Sequence, residues 1–474
     1  GMIGPANDIN LFKQNYKTPE GYKYQTPANS SLAPGEALVL NTDGTDYMDY
    51  FWNQLAVSDD QTTNRVIAAA TLNYDILKNL HFRGRVGEDY TGYFSEDKEP
   101  SQYPVAYGYS GYYGTNFNRY NFTYGDLLLT YNQKITNNFD ISLSAGYQAR
   151  TEDYRYSGQG TSGGLTQGSW FSMSASANPV TGSSTRSYLV KDGLFGILDL
   201  SYHNYLFIEA TGRRERSSTL YPGNNTFFYP GVSGSFELSN AFHLPAFVTY
   251  SKLRASWAIV GNPGVPYQAN VVYNAYSDNG IPTLTTPNPY GNQNLKDEKK
   301  HAVEFGWETK LFNDRFGFDI SWYHNRIHDQ ILNLEVPAST GVTGVLENVG
   351  TMQNIGLEIA LNGTPVQTPN FQWNVTLNWA RNHNTVLSLM PGLQRLVSSN
   401  MDNGSLLIVS EVGKAAGEIM TYKLERNAAG QLITAGGYYV PNFDSMVNDG
   451  NVQSKFVGGL INDFRYKGFD LNIV

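Results

Sequence analysis

Short stretches in which apolar and polar residues strictly alternate constrain this chain most strongly. In NDRFGFDISWYH, residues 313–324, the apolar side chains fall on one parity and the polar or small ones on the other. A period of two predicts a β-strand with one apolar and one polar face. The apolar set is Phe316, Phe318, Ile320 and Trp322. The fold class depends on whether this face meets a protein core or lipid.

The alternating strands come in pairs, each pair joined by a short polar turn. Turns are predicted near 77–79, 136–138 and 313–314, and similar pairs occupy residues 356–381 and 464–474. A short turn between two alternating strands is typical of antiparallel neighbours. The sequence therefore predicts an all-β meander, with roughly 14 to 16 strands in all.

Long connections separate the predicted hairpins. They are rich in Gly, Ser, Asn, Pro and Tyr and have no helical period: 92–118, 154–187, 261–299, 329–350 and 386–452. Loops this long are uncommon in compact soluble domains. Short turns at one rim and long loops at the other are typical of an outer-membrane β-barrel. We therefore expect a large antiparallel transmembrane β-barrel, with outer-membrane lipid against its apolar face.

The spacing of aromatic residues supports lipid contact. Aromatics lie eight residues apart on one face in 82–90, 139–147 and 371–379. Eight residues span about 26 Å along a strand, and a tilt near 40° reduces this to about 20 Å, close to the ~25 Å apolar band of such barrels. The alternative is a soluble or surface-attached β-sandwich that binds glycans without transport, because an aromatic core also alternates.

Composition excludes other classes. No apolar run approaches the ~20 residues of a membrane-spanning helix. The net charge is −9, and without a basic stripe a nucleic-acid partner is not expected. There is no cysteine, hence neither disulfides nor thiolate metal sites.

The polar faces predict a wet interior. Charged residues at the polar positions of the alternating strands would point into a lumen: Asp140, Asp319, Glu304, Glu308, Glu358, Arg83 and Arg85. A wet lumen requires many strands. Both ends of the chain read as cut, so an intact barrel of more than twenty strands is expected, of which residues 1–474 would be part.

Six segments, in order, resemble the SusC-like (SusC/RagA) branch of TonB-dependent outer-membrane transporters. They are GLFGILDLSYHNYLFIEATGRRERSSTL (193–220), FFYPGVSGSFELSN (227–240), KLRASWAIVGN (252–262), NQNLKDEKKHAVEFGWE (292–308), NVGTMQNIGLEIALNGTP (348–365) and FQWNVTLNWARNHNTVLSL (371–389). The resemblance covers nearly the whole chain from about Asp46. Two positions depart from the family pattern: Glu215, where Asp-Gly is frequent, and Asp297, where Pro is usual.

The resemblance implies a 22-stranded barrel with an N-terminal plug, a carboxypeptidase-like extension and a TonB box. It implies a Gram-negative outer membrane, a SusD-like surface lipoprotein as partner, and import of oligosaccharides or peptides driven by TonB through the N-terminal region. Against this family pattern, the plug, the extension and the final strands are expected to be absent from residues 1–474. The resemblance thus implies nutrient uptake without catalysis or a cofactor.

Patterns that resemble catalytic or metal sites are better read as structural. GTSGG around Ser162 matches a nucleophile elbow, but it is predicted to lie in a Gly/Ser loop instead of a strand-to-helix turn. His324 and His328 would be about 13 Å apart on a strand. The acids Asp43, Asp46 and Asp49 lack the EF-hand spacing. We expect neither an enzyme nor a metal site.

Aromatic loops are the candidate binding sites. YPVAYGYSGYYG (103–114) contains Tyr107, Tyr109, Tyr112 and Tyr113, and QGSWFSM contains Trp170 and Phe171. Aromatic faces with hydroxyl groups suit stacking on sugars or packing against a partner. The hypothesis is contact with substrate or with the lipoprotein. The alternative is a set of ordinary aromatic loops folded over their neighbours.

Overall fold

A computed structural model describes residues 9–23, 47–278, 281–390, 392–401 and 404–474. Fourteen strands form one antiparallel sheet. Their number agrees with the predicted 14 to 16. Neighbours in the sheet follow one another along the chain apart from strands of smaller sheets, so the fold is the expected meander. One continuous sheet also argues against the sandwich alternative, which needs two stacked sheets.

In their order across the large sheet, the strands are β1 Ser58–Leu77, β2 Leu80–Glu99, β3 Tyr112–Thr136, β4 Phe139–Leu165, β5 Ser176–Tyr202, β6 Leu206–Ser217, β7 Thr226–Glu237, β8 Val248–Asn262, β11 Glu298–Leu311, β12 Phe316–His328, β15 Thr351–Gln367, β16 Phe371–Ser388, β23 Val457–Tyr466 and β24 Phe469–Ile473. The smaller sheets contain β9 Asn274–Asp278, β10 Ile281–Thr285, β13 Ile331–Glu335, β14 Gly344–Asn348, β17 Arg395–Met401, β18 Leu406–Glu411, β19 Glu418–Leu424, β20 Thr434–Ala435, β21 Tyr438–Tyr439 and β22 Pro441–Asn451. Short helices are α1 Ile9–Gln14, α2 Tyr47–Leu55 and α3 Leu238–Ala241. No helix in the described part of the chain is long and apolar enough to cross a membrane.

The short turns lie where the sequence predicts them. Two residues connect β1 to β2 and β3 to β4, and the turn between β11 and β12 includes Asn313 and Asp314. Both have positive φ, 56° and 63°. Asn and Asp tolerate this left-handed conformation better than most residues. Turn chemistry therefore fixes these hairpins locally.

Two of the predicted loops are wrong. Most of residues 92–118 and 154–187 is strand, because β2 continues to Glu99, β3 begins at Tyr112, and β4 and β5 extend to Leu165 and from Ser176. The Gly, Ser, Asn and Tyr residues of these ranges suggest loops, yet most of the ranges pair with neighbouring strands of the sheet. We call these two ranges the strand extension. The other three predicted loops enclose the smaller sheets.

The register separates the two faces of the sheet. Trp307 pairs with Leu253 on one side and with Ile320 on the other. The same row continues through Phe236, Leu206, Ile359 and Trp379. Glu304 lies three residues before Trp307 on β11 and pairs with Ser256. Its row continues through Ser233, Glu209 and Asp199. Rows of apolar side chains thus alternate with rows of polar ones, and Ile320 lies on the apolar face, as predicted.

The chain divides into two compact units. The first contains the described residues up to Thr71, with Arg85–Gly125 and Arg150–Leu189. The second contains Leu72–Gly84, Asp126–Ala149 and Val190–Val474. In the second unit, a buried apolar cluster joins Phe227 of β7 and Leu346 of β14 to residues of the connections, Leu220, Ala269 and Leu295.

Candidate functional site

The polar face of the second unit bears a cavity of about 740 Å³. Because neighbouring strands of the sheet pair in sequence, residues of β3 to β8, β11 and β12 line this cavity. Four carboxylate residues line it, Asp140, Asp199, Glu209 and Glu304, together with the cationic residues Lys134 and Arg254. Of the seven residues predicted to face a lumen, two therefore line this cavity.

Arg254 is partly neutralised beside the cavity. Its guanidinium donates to Asp319 Oδ2 at 2.9 Å and to Asp319 Oδ1 at 2.5 Å. It also donates to Ser321 Oγ at 2.7 Å. The four lining carboxylates form no ion pair with any described residue. The cavity is therefore acidic, which favours cationic or neutral groups over anionic ones.

The other predicted interior residues also lie among polar partners. Arg83 contacts Asp126 at 3.1 Å and Arg85 donates to Tyr124 Oη at 2.7 Å. Glu308 lies 3.8 Å from Lys252. Glu358 lines a neighbouring cavity of about 580 Å³ together with Asp319. All seven thus have polar surroundings on the predicted face of their strands.

The lining residues that the sequence pattern does not single out include Asp199, Glu209 and Phe207. They lie in LDLSYHNYLFIEA, a hairpin around a turn at 203–205. The register of this hairpin would have identified the two acids, because Asp199 pairs directly with Glu209. Phe207 is an exposed aromatic side chain on a polar row, since it pairs with Ser201 and Ser235. It contributes an aromatic contact surface to the acidic cavity.

The predicted aromatic residues lie in the first unit. Tyr107 and Tyr109 are in the connection 100–111 and are exposed, at 57% and 49%. Tyr112 and Tyr113 are wrongly predicted as loop residues, since they begin β3. Trp170 lies in the connection 166–175 and is also exposed, whereas Phe171 is only half-buried.

The structure brings two of these residues into contact. The rings of Tyr113 and Phe171 lie 6.4 Å apart. Tyr113 also donates to Glu96 Oε1 at 2.6 Å. This hydrogen bond is the main cause of the raised pKa of Tyr113 and of the lowered pKa of Glu96. Tyr113 is thus a positioned residue, while Tyr107, Tyr109 and Trp170 present free aromatic surface.

The two aromatic connections are joined by hydrogen bonds that involve backbone and side-chain atoms. Leu165 N donates to Ser110 O at 3.0 Å, and Ser101 Oγ accepts from Ser169 N at 3.2 Å. Gly164 has φ of +93°, and a Cβ there would lie 2.5 Å from Ser110 N. Only glycine fits such a close approach. The aromatic surface therefore lies on tethered connections.

Comparison with known families decides the class of the chain. The model of the family described as "TonB dependent receptor-like, beta-barrel" matches residues 4–470. The chain belongs to this family. The family comprises receptors and transporters of the outer membrane.

Relatives and solved structures agree with this TonB-dependent receptor assignment. TonB-dependent receptor P26 of Formosa agariphila is 28% identical, over 61% of this chain and 32% of the relative. TonB-dependent receptor SusC of Bacteroides thetaiotaomicron is 23% identical, over 97% of this chain and 46% of SusC. The solved structure of the RagAB peptide transporter superposes with a TM-score of 0.78 at 17% identity, over 90% of this chain and 48% of that one. The chain spans less than half the length of each of these proteins.

In this chain of the TonB-dependent receptor family, the weaker motifs around Ser162 and His324 lie on strands. Ser162 lies in β4, so the predicted Gly/Ser loop around it is wrong, and its backbone N–H donates to Ser176 Oγ at 2.8 Å. His324 and His328 lie on β12, as predicted. Asp43 and Asp46 lie outside the described residues, as does the side chain of Asp49. No group of three or more metal-ligating side chains occurs among the residues that the structure describes.

Proposed function

We propose that this chain is the barrel wall of a SusC-like importer in the outer membrane of a Gram-negative bacterium. One observation carries the proposal: registered rows of apolar and polar side chains alternate through at least seven neighbouring strands, from β6 to β16. An apolar face suits lipid and the opposite face suits a water-filled path. The family assignment supports the same reading.

The proposed cargo is an oligosaccharide or a peptide. The RagAB structure belongs to a peptide transporter, but its similarity to this chain concerns the fold. The acidic cavity provides a further criterion, since unpaired carboxylates repel anions. We therefore infer that the cargo is neutral or cationic, and that strongly anionic glycans are poor cargo.

The proposed partners are a SusD-like surface lipoprotein and TonB, the latter acting through a region N-terminal to this barrel. The exposed aromatic surface of Tyr107, Tyr109 and Trp170 is the proposed contact for cargo or lipoprotein. Aromatic rings on tethered connections lose little conformational freedom when they stack on a ligand.

The function is tested by deleting the gene in its host and restoring it. Loss of growth on neutral oligosaccharides or on peptides as sole nutrient, recovered on restoration, would identify the cargo class. The restored protein should fractionate with outer membranes. Unchanged growth on both nutrient classes, or a chain found only in soluble fractions, would contradict the proposal.

The aromatic contact is tested with single cysteines, which the chain's lack of cysteine permits. Tyr109→Cys should be protected from a polar maleimide on cells when cargo and lipoprotein are present. Tyr438→Cys, at another exposed tyrosine (81% exposed) in β21, is the matched control. Equal labelling of Tyr109→Cys with and without cargo and lipoprotein would exclude the contact.

A further inference from the structure

A groove of about 590 Å³ crosses the apolar face of the second unit between β2 and β7. Its floor contains Ala145, Gly196 and Gly212, and its walls include Leu127, Leu194 and Phe228. Three of these wall side chains are exposed large hydrophobic residues. The groove is thus an unfilled apolar depression on a face that is otherwise covered with side chains.

Two neighbouring glycines create the depression. Gly196 of β5 pairs directly with Gly212 of β6. A Cβ on Gly196 would have Ser144 O, at 3.7 Å, as its nearest neighbour, so there is space above it. Gly212 is different, because a Cβ there would meet the Phe228 ring at 3.3 Å. The absence of side chains on two paired positions leaves a channel one side chain deep.

A cation stands at one end of the groove. Arg214 pairs with Leu194 on one side and with Phe228 on the other, so its exposed side chain shares the apolar face. It forms no hydrogen bond or ion pair with the described residues. Arg216 follows on the same face, but it is bound to Asp192 at 2.9 and 3.0 Å. Arg214 is therefore the cation that remains for a ligand.

We propose that the groove binds an acyl chain of a phosphorylated glycolipid of the outer leaflet, with its phosphate on Arg214. The inference rests on the proposed outer-membrane function. A guanidinium suits phosphate through paired hydrogen bonds, and an unpaired charge on a lipid-facing surface is costly unless an anion neutralises it. Arg214 lies near the end of β6 that leads to the connection 218–225, and the longer connections of such barrels face outward. The outer leaflet is therefore the side on which the headgroup would lie.

The test measures lipid retained by the full chain after extraction from outer membranes in mild detergent. Native mass spectrometry would count bound glycolipid for the unaltered chain and for Arg214→Gln and Gly196→Leu. Loss of one arginine near an anionic surface should reduce bound glycolipid roughly fivefold. Gly196→Leu should reduce it by filling the groove, without a backbone clash.

Two variants are matched controls on the same face. Arg381 lies on β16, outside the groove, in the same row as Phe305 and Trp322. Arg381→Gln therefore removes an equal charge from the same face. Gly234→Leu adds an equal side chain on β7, where the nearest atom to a new Cβ is Phe207 O at 3.6 Å. Both should retain as much glycolipid as the unaltered chain.

Three outcomes overturn the proposal. Arg214→Gln and Gly196→Leu could retain glycolipid fully, or Arg381→Gln could lose it equally, which would indicate nonspecific charge. Added phosphatidylglycerol micelles could displace the glycolipid completely, which would make the ligand a simple phospholipid. If instead the chain never reaches the outer membrane, the proposed function fails as well, and fractionation before extraction separates that case.

Discussion

The second unit and the strand extension use the same kind of hairpin in opposite ways. In the second unit, rows such as that of Trp307 are apolar and rows such as that of Glu304 are polar. In the strand extension, one face has Tyr113 bound to Glu96, while Asn116 donates to Ser95 Oγ and Asp97 Oδ2 on the other. Both faces are therefore polar where the residues were predicted to be loops.

This difference shows that strand length does not measure the membrane. β4 has 27 residues, about 89 Å at roughly 3.3 Å per residue, whereas a crossing strand needs about 9–11 residues. Chemical separation of the two faces is the better indicator of contact with lipid. Strands that lose this separation belong in water on both sides.

The largest expected effect comes from a charge on the apolar face. Ile320→Lys should reduce the free energy of unfolding by about 2–4 kcal/mol if the residue lies near the bilayer midplane. Phe117→Lys, at an exposed residue of the strand extension, should change it by about 0.5 kcal/mol or less. Urea titration of the chain in lipid vesicles, followed by tryptophan fluorescence, measures both. Equal losses would mean that the strand extension also lies in lipid.

The next effect concerns a buried carboxylate. Asp297 has 2% of its side chain exposed and accepts from Tyr229 Oη at 3.1 Å. Tyr229→Phe removes this donor and should cost about 1–3 kcal/mol. Tyr154→Phe is the control, since Tyr154 makes a 3.4 Å hydrogen bond to Asn118 at an exposed position of the strand extension. Equal urea midpoints for the two variants would contradict the distinction.

Acid should act in opposite directions on the two regions. The hydrogen bond from Tyr113, with that from Lys98, lowers the pKa of Glu96 below its ordinary 4.5, so its stabilisation exists above that pH and is lost as pH falls through the lowered pKa. Burial raises the pKa of Asp297 above its ordinary 3.8. Its contribution is therefore complete below that pH and is lost as pH rises through the raised pKa.

Hydrogen exchange between pH 3 and 7, corrected for intrinsic rates, separates these two contributions. Protection around residue 96 should fall in acid, and protection around residue 297 should rise. Glu96→Gln and Asp297→Asn should each flatten the pH dependence of their own region only. A parallel pH response in both regions would refute the assignment.

The smallest effect is the coupling within exposed ion pairs. A double-mutant cycle on Arg254 and Asp319, which share two hydrogen bonds, should give at most about 1 kcal/mol because both are partly exposed. The cycle on Arg186 and Asp153 should give less, since Arg119 and Arg155 also contact that carboxylate. A larger coupling for this pair would indicate that water is excluded around Arg186, which lies in the strand extension.

Local pattern predicted the parts of the fold that depend on local physics. The turns at 313–314 and 136–138 and the apolar parity of Ile320 follow from alternation and turn chemistry. The extension of β4 through Ser162 could not be predicted in the same way. A strand with water on both faces needs no alternation, so its sequence resembles that of a loop.

The candidate sites depend on the register between neighbouring strands, which the sequence of one strand does not specify. Asp199 and Glu209 come together because β5 and β6 pair with this alignment, and a shift by one residue would turn them to the opposite face. The groove requires that small residues of β4, β5 and β6 lie side by side across these neighbouring strands. The loop motifs that contain Tyr107 and Trp170 are evident in the sequence, and the contact of these residues with cargo or lipoprotein stays a prediction.

The sequential order of the sheet has a kinetic consequence. β15 and β16 need only a three-residue connection to meet, whereas β16 and β23 must close residues 389–456, which include two separate sheets. Closure entropy grows with loop length, by about 0.6 kcal/mol for each doubling. We expect the β15–β16 hairpin to become protected from pulse-labelled hydrogen exchange before the β16–β23 pair does. Simultaneous protection of the two strand pairs would contradict this order. Earlier protection of the β15–β16 hairpin would make the closure of residues 389–456 the slow step of assembly.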